Sequence, residues 1–319
     1  MLMTRSTSLQ KLLLLKSSIP ALLASSDYSS ALTAVSRCRT IIKEQSLSSL
    51  TSLTEVTEQL DGFNNLVVQR LGQEFVDCLL CYDVNNVESN FNVVPKGKLL
   101  KDTGNLEAAS NLYSLNLQEN IKLTVKTTVA ECAADASASS SDPSSAAPAR
   151  SAAASASSDT SSVAPASVKA YVTAMTFPQF LSCLEMLFEQ ILSTLSLSSN
   201  VHTFLLANGI ELPPPAPPPG TADTVKRLAS GPPNALVFAA SLSYRSISEL
   251  LRVRSDFHSL LSLQELKQLW DACLAFTLEL EAHSGGGKAW GLRSTLLTQA
   301  KSFVERTHEK HMSNLVSVD

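Results

Sequence analysis

The run Leu261-Ser262-Leu263-Gln264-Glu265-Leu266-Lys267-Gln268-Leu269-Trp270-Asp271-Ala272-Cys273-Leu274-Ala275-Phe276-Thr277-Leu278-Glu279-Leu280 decides the fold class of this 319-residue chain. Leu263, Leu266, Trp270, Cys273, Thr277 and Leu280 recur in alternating steps of three and four, the period of an α-helix that must bury one stripe. Ser262 with Glu265 three positions on is the pattern of a capping box, and Leu261 with Leu266 can staple the chain's entry into the helix. Gly285-Gly286-Gly287 then stops the pattern. A second stripe follows through Leu292, Leu296, Ala300, Phe303, Thr307 and Leu315, so two striped helices joined by a glycine turn predict an antiparallel hairpin.

The same period recurs upstream. Ser26 is a predicted N-cap, and Tyr28, Ala31, Val35, Cys38 and Ile42 trace one helical face; the small Ala31 allows a neighbouring helix backbone to approach closely. Leu53, Val56, Leu60, Phe63, Val67, Leu71 and Cys78 mark a longer helix of about seven turns. Gly62 and Gly72 weaken that helix by about 1 kcal/mol each relative to alanine, so packing has to hold it. From Tyr82 to Gly104 the periodicity fades among Asn85-Asn86, Asn90 and Pro95-Lys96-Gly97, which read as punctuation. From Leu106 to Cys132 it returns, although Val125, Thr127, Thr128 and Val129 oppose a helix on local propensity. Phe177, Phe180, Leu181, Leu184, Leu187, Phe188, Ile191 and Leu192 predict a helix apolar on nearly every side, a core or interface element, with Pro178 in its first turn.

Two breaks divide these stretches. Residues 133–168 are almost wholly Ala, Ser, Pro and Asp, too poor in large apolar side chains to offset the entropy of ordering, and are expected to be a disordered linker. Residues 212–233 contain Pro213-Pro214-Pro215-Ala216-Pro217-Pro218-Pro219-Gly220, which favours polyproline II geometry and a semi-rigid spacer. The expected organisation is a helical segment over 1–132, the linker, a helical segment over 169–211, the proline-rich linker and a helical hairpin over 234–319.

Composition narrows the function classes. A formal net charge of −4 and a pI near 5.8 offer no basic footprint for nucleic acid, whose phosphates need a clustered positive surface. Scattered cysteines (Cys38, Cys78, Cys81, Cys132, Cys183, Cys273) fit a reduced compartment, and Cys78-Leu79-Leu80-Cys81 lacks the second pair a zinc site needs, so both read as core packing. Uninterrupted apolar runs fall short of the ~18 residues that cross a bilayer. Arg5, Lys11 and Lys16 precede any acidic residue, as in a targeting peptide, but Lys16 and Pro20 interrupt its apolar centre. His308-Glu309-Lys310-His311 has the wrong spacing for a helical zinc site, and Gly285-Gly286-Gly287-Lys288 is followed by Ala289 where a phosphate loop needs Ser or Thr. No serine sits in a Gly-x-Ser-x-Gly elbow. Catalytic residues, cofactors and metals are therefore expected to be none.

The runs Leu250-Leu251-Arg252-Val253-Arg254, Leu261-Ser262-Leu263-Gln264-Glu265-Leu266 and Leu292 to Glu309, with Leu22-Leu23-Ala24-Ser25-Ser26-Asp27-Tyr28-Ser29-Ser30-Ala31-Leu32 near the start, resemble the vacuolar protein sorting-associated protein 54 family, whose members are subunits of the Golgi-associated retrograde protein tethering complex. Tyr113 to Cys132 and Phe177 to Leu206 resemble the part between. The resemblance implies an all-α, elongated stack of antiparallel helices of the helical-rod type, interrupted by disordered insertions. It implies a non-enzymatic subunit that binds other tethering-complex subunits and SNARE proteins such as syntaxins, peripheral at the cytosolic face of the trans-Golgi network, with no transmembrane segment. It also implies a fragment, since family members extend beyond both ends of this chain. A helical scaffold or adaptor, such as a subunit of another tether, is the alternative. The likeness is sharpest around Arg252, Arg254, Gln299, Phe303 and His308, the expected partner-binding residues. Arginines two apart cannot share a helix face, so within a continuous helix they must point apart.

Overall fold

The computed structural model describes residues 2–44, 51–83, 87–139, 165–216, 235–284 and 289–316. Among them every regular element is helical, the all-α bundle that the stripe periods predict. The helices are α1 (Leu2–Ala24), α2 (Tyr28–Glu44), α3 (Thr51–Leu80), α4 (Val87–Asp102), α5 (Leu106–Ser139), α6 (Pro165–Ala174), α7 (Phe177–Ala207), α8 (Ala235–Val253), α9 (Ser255–His258), α10 (Leu263–His283) and α11 (Trp290–Val316). They form two compact units, the first from Met1–Tyr113 with Asn200–Pro213, the second from Ser114–Ser199 with Pro214–Asp319. Of the three boundaries, one falls inside α5, one inside α7 and one, between Pro213 and Pro214, in the proline-rich stretch.

In the first unit, α1 packs on α2, α2 on α3 and α3 on α4. The predicted face of α2 is buried through Tyr28, Ala31, Val35, Cys38 and Ile42. Its cap lies one residue later than the sequence indicates: the Ser30 amide donates to Asp27 Oδ1 at 3.1 Å. Ser26 instead closes α1, in the left-handed region at φ 56°, with the Ser26 amide donating to Leu23 O and the Asp27 amide to Leu22 O. This is a Schellman ending in which serine occupies the place usually taken by glycine. One carboxylate ties the turn to later helices, as Glu74 accepts from Tyr28 Oη, from Ser26 Oγ at 3.2 Å and from Lys96 Nζ at 2.8 Å.

Helix α3 buries Leu60, Val67, Leu71, Phe75, Val76 and Leu79. Cys78 is half-buried and Cys81 exposed, so the pair is not core packing as the sequence reading has it: Cys78 faces Lys96 Nζ at 3.8 Å and Cys81 lies beyond the helix end. The weakly periodic stretch after Tyr82 is helical from Val87, with Pro95 and Gly97 inside the helix. Tertiary packing overrides propensity there: Val93 and Leu100 are buried, and Gly97 lies so close to Phe75 and Ile210 that an added Cβ would be 2.7 Å from Ile210 Cδ1 and 3.0 Å from Phe75 Cε2. Residues 200–213 complete this core with Val201, Leu205 and Ile210, the Tyr82–Phe204 ring pair at 5.3 Å, and bonds from Lys101 Nζ to Gly209 O and from Ser110 Oγ to Pro213 O.

The glycines make opposite demands. A Cβ on Gly62 or Gly72 meets nothing within 4 Å, so Gly62→Ala should stabilise the first unit by about 0.5–1 kcal/mol through helix propensity. Gly97→Ala should destabilise it by about 1–3 kcal/mol through overpacking. Urea unfolding followed by far-ultraviolet circular dichroism checks both signs, and equal signs would refute the packing account of Gly97.

The second unit is built round α7. Its Thr176 amide donates to Gln179 Oε1 at 2.9 Å, Pro178 sits in the first turn, and Phe180, Leu184, Leu187, Ile191 and Leu195 enter the core. The expectation of no spanning segment rests on uninterrupted apolar runs, whereas α7 as a helix is long and apolar enough to cross a membrane by length and composition alone. Here its apolar side is used by the core. The β-branched part of α5 is helical because Val125 and Val129 are buried, Thr124 and Thr127 donate back along the helix, and Thr128 Oγ1 donates to Gln190 Oε1 at 2.6 Å.

Helix α5 runs to Ser139, into the segment the sequence assigns to a linker, and α6 begins again at Pro165; residues 140–164, most of the alanine-serine tract, lie outside the described residues. So do 217–233 of the proline-rich break and Gly285-Gly286-Gly287. The capping box of α10 is present, with the Glu265 amide donating to Ser262 Oγ and the Ser262 amide to Glu265 Oε2. Its buried stripe passes through Leu269, Cys273, Phe276, Thr277 and Leu280, while Leu263 is 72% exposed; the predicted stripe is right only over the C-terminal half. Helix α11 buries Leu292 and Leu296 and packs on α8 and α10. Arg293 pairs with Glu281 at 2.8 Å.

Candidate functional site

The turn from α8 to α9 holds a cluster of buried polar side chains, Arg254, His258 and Gln299. Helix α8 ends at Val253, so Arg254 stands beyond it, at the N-cap of α9, and the rule for two arginines within one continuous helix does not apply. Arg252 is exposed. Arg254 is 3% exposed, and its Nη1 donates to Val172 O and, at 2.7 Å, to Met175 O. These carbonyls belong to the end of α6 and the residue after it, where the helix leaves acceptors unpaired and the dipole favours a cation. The guanidinium lies 4.6 Å from the Phe180 ring centroid and 5.2 Å from that of Phe257, within cation–π range. Burial lowers the Arg254 pKa, and the carbonyl dipoles and ring faces compensate the buried charge.

One helical turn on, His258 is fully buried. Its Nδ1 lies 3.0 Å from Gln299 Oε1, and Gln299 Nε2 donates to Leu251 O at 2.6 Å. Because the amide nitrogen is engaged at Leu251, Oε1 is the acceptor and His258 carries its proton on Nδ1, a tautomer assigned from the network. Burial lowers the His258 pKa to about 4, against the raising effect of the Gln299 bond and with a further lowering from the Arg254 charge. The ring is therefore neutral at neutral pH. Among the described residues Arg254 Nε and His258 Nε2 have no hydrogen-bond partner, a cost borne by the surrounding packing.

Of the five expected partner-binding residues, the fold turns Arg254 and Gln299 inward, leaves Arg252 and His308 exposed and sets Phe303 half-buried. Arg254 and Gln299 share one knot, in which each satisfies the carbonyls of a helix end other than its own. His258 and Phe180 were missed from the sequence, although His258 stands four residues after Arg254 and so on the same helical face. Among the described residues no three His, Cys, Asp or Glu side chains gather as a metal site.

The described residues thus define an all-α bundle in which buried Arg254 and Gln299 tie helix-end carbonyls together. A stretch of 83 residues is 37% identical to vacuolar protein sorting-associated protein 54, chloroplastic, of Arabidopsis thaliana, covering 26% of this chain and 8% of that protein. The likeness points to that family over a small part of the relative's length. No family model matches, and no solved structure matches.

Proposed function

We propose that this chain is a non-enzymatic subunit of a vesicle-tethering complex serving retrograde transport from endosomes to the trans-Golgi network. The 37% identity over 83 residues carries this reading, and the all-α bundle supports it, since tethering by a rod works through helix packing. The chain acts by helix-mediated binding of other complex subunits and of SNARE proteins, and sits peripherally on the cytosolic face of the Golgi membrane. Exposed Arg252 and His308, with half-buried Phe303, are the members of the expected set that a partner could reach. The second reading is a helical adaptor outside that complex, favoured by the small share of the relative that is matched.

Affinity purification of the tagged full chain from its native cells, with mass spectrometry of what accompanies it, separates the two. Tethering-complex subunits at near-equal amounts are expected. A reproducible set of unrelated partners supports the adaptor and refutes the tether. The pair Arg252→Glu with His308→Glu should reduce recovery of those subunits severalfold without altering the thermal midpoint, because both side chains lie at the surface.

A further inference from the structure

Between α7 and α10 the second unit leaves a groove of about 620 Å³. Its floor is apolar and shallow: Phe188 and Phe276 stack with ring centroids 4.2 Å apart, and Leu192, Ala272 and Ala275 complete it. The small side chains of both walls, including Ser193 and Ser196, allow a third helix axis to approach within ordinary packing distance. On α7 the lining runs from Glu185 to Ser196 and on α10 from Ala272 to His283, each about 17 Å at 1.5 Å per residue, or three helical turns.

The rim is acidic. Glu185 and Glu189, one turn apart on α7, face the groove opposite Glu279 of α10. All three are exposed, and none belongs to an ion pair of the described residues. Helix α7 carries no lysine or arginine along its whole length, so no cation of that wall neutralises the rim. Such a groove repels anionic lipid and acidic peptides and attracts cations.

From this charge complementarity we infer that the groove is a docking site for a basic amphipathic helix of a partner protein, whose apolar stripe lies over Phe188, Leu192 and Ala275 and whose flanking lysines or arginines meet Glu185, Glu189 and Glu279. It is the helix-in-groove mode of recognition. The inference does not rest on the tethering reading, since a helical adaptor could use the same groove.

The test uses the full chain and a fluorescent amphipathic peptide of about 18 leucine and lysine residues, long enough to span the lining, beside the same peptide with glutamate for lysine. Anisotropy should show binding of the lysine peptide at least tenfold tighter than that of the glutamate peptide, and weakening as salt rises. Charge reversal at Glu185, Glu189 and Glu279 to lysine should abolish the preference. Ala275→Trp, which fills the floor and leaves every charge in place, should weaken binding of the lysine peptide at least tenfold. Both variants alter exposed positions, and an unchanged circular dichroism melt verifies their fold; should the triple variant unfold, Ala275→Trp decides alone. Equal binding of the two peptides, or full binding by the Ala275→Trp variant, would overturn the inference, the latter by showing mere surface charge attraction. Concentration-dependent self-association that Ala275→Trp abolishes would overturn it too, by giving the groove to a second copy of the chain.

Discussion

Arg254→Ala is expected to lower the stability of the second unit by about 3 kcal/mol or more. The substitution strands the Val172 and Met175 carbonyls, each worth about 1–3 kcal/mol when buried and unpaired, and leaves a void against Phe180. Arg254→Lys should fall between, because an ammonium can reach a carbonyl but cannot stack on Phe180 as a planar guanidinium does. Arg252→Lys, at an exposed position, should change stability by less than about 0.5 kcal/mol. The only tryptophans of the sequence, Trp270 and Trp290, both lie in the second unit, so urea unfolding followed by their fluorescence reads that unit alone. A loss under about 1 kcal/mol for Arg254→Ala would show that water takes over the two carbonyls.

Acidification should weaken the same unit through His258. Its folded pKa, lowered by burial to about 4, lies below the ordinary value near 6.5, so the unfolded chain binds the proton more readily. Stability from this group is fully present above about pH 6.5 and is lost as pH falls towards 4, at about 1.4 kcal/mol per pH unit and about 3 kcal/mol in all. The groups facing the ring are Arg254, whose charge opposes protonation, and Gln299, whose oxygen favours it. Asp27 and Glu265 have lowered pKa values, and their contributions are lost only below the ordinary carboxylate range, leaving pH 5–6.5 to the histidine. His258→Asn places an amide where Nδ1–H stands and removes the titration. The slope of tryptophan-detected stability over that interval should shrink in the variant; an unchanged slope would assign it to other groups.

What the sequence discloses here follows from how local the determining physics is. The α10 cap was legible because Ser262 and Glu265 satisfy each other within one turn, and the face of α2 because a single stripe faces a single neighbour. The N-terminal half of the α10 stripe was misread: Leu263 and Leu266 share the period of the buried residues, but nothing in the period says where the neighbouring helix begins. Helix α4 was not legible, since its stability comes from Phe75 on α3 and Ile210 more than a hundred positions away, against the local preferences of Pro95 and Gly97. The Arg254 knot was half legible. The sequence marks both arginines, yet helix α8 ends between them, so helical spacing does not set their directions, and the acceptors at Val172 and Met175 are carbonyls, which carry no side-chain signature. The groove between α7 and α10 escaped notice because Glu185 and Glu189 stand in a helix whose apolar character dominates any reading of its composition.

The first unit takes its closing piece, Asn200–Pro213, from a part of the chain made long after the rest. During synthesis Met1–Tyr113 leaves the ribosome with α1 to α4 already able to pair in order, by contacts close in sequence that form quickly. Residues 114–199, 86 in all, must then be polymerised before Asn200 appears, about 4–17 s at ordinary translation rates. Throughout that interval Phe75, Tyr82 and the flank of Gly97 await Phe204 and Ile210, and an apolar face is open to solvent. The nascent chain should engage a holding chaperone in this window and be released once Pro213 emerges. Ribosome-bound chains stopped before Asn200 should therefore be more prone to aggregate than chains stopped beyond Pro213.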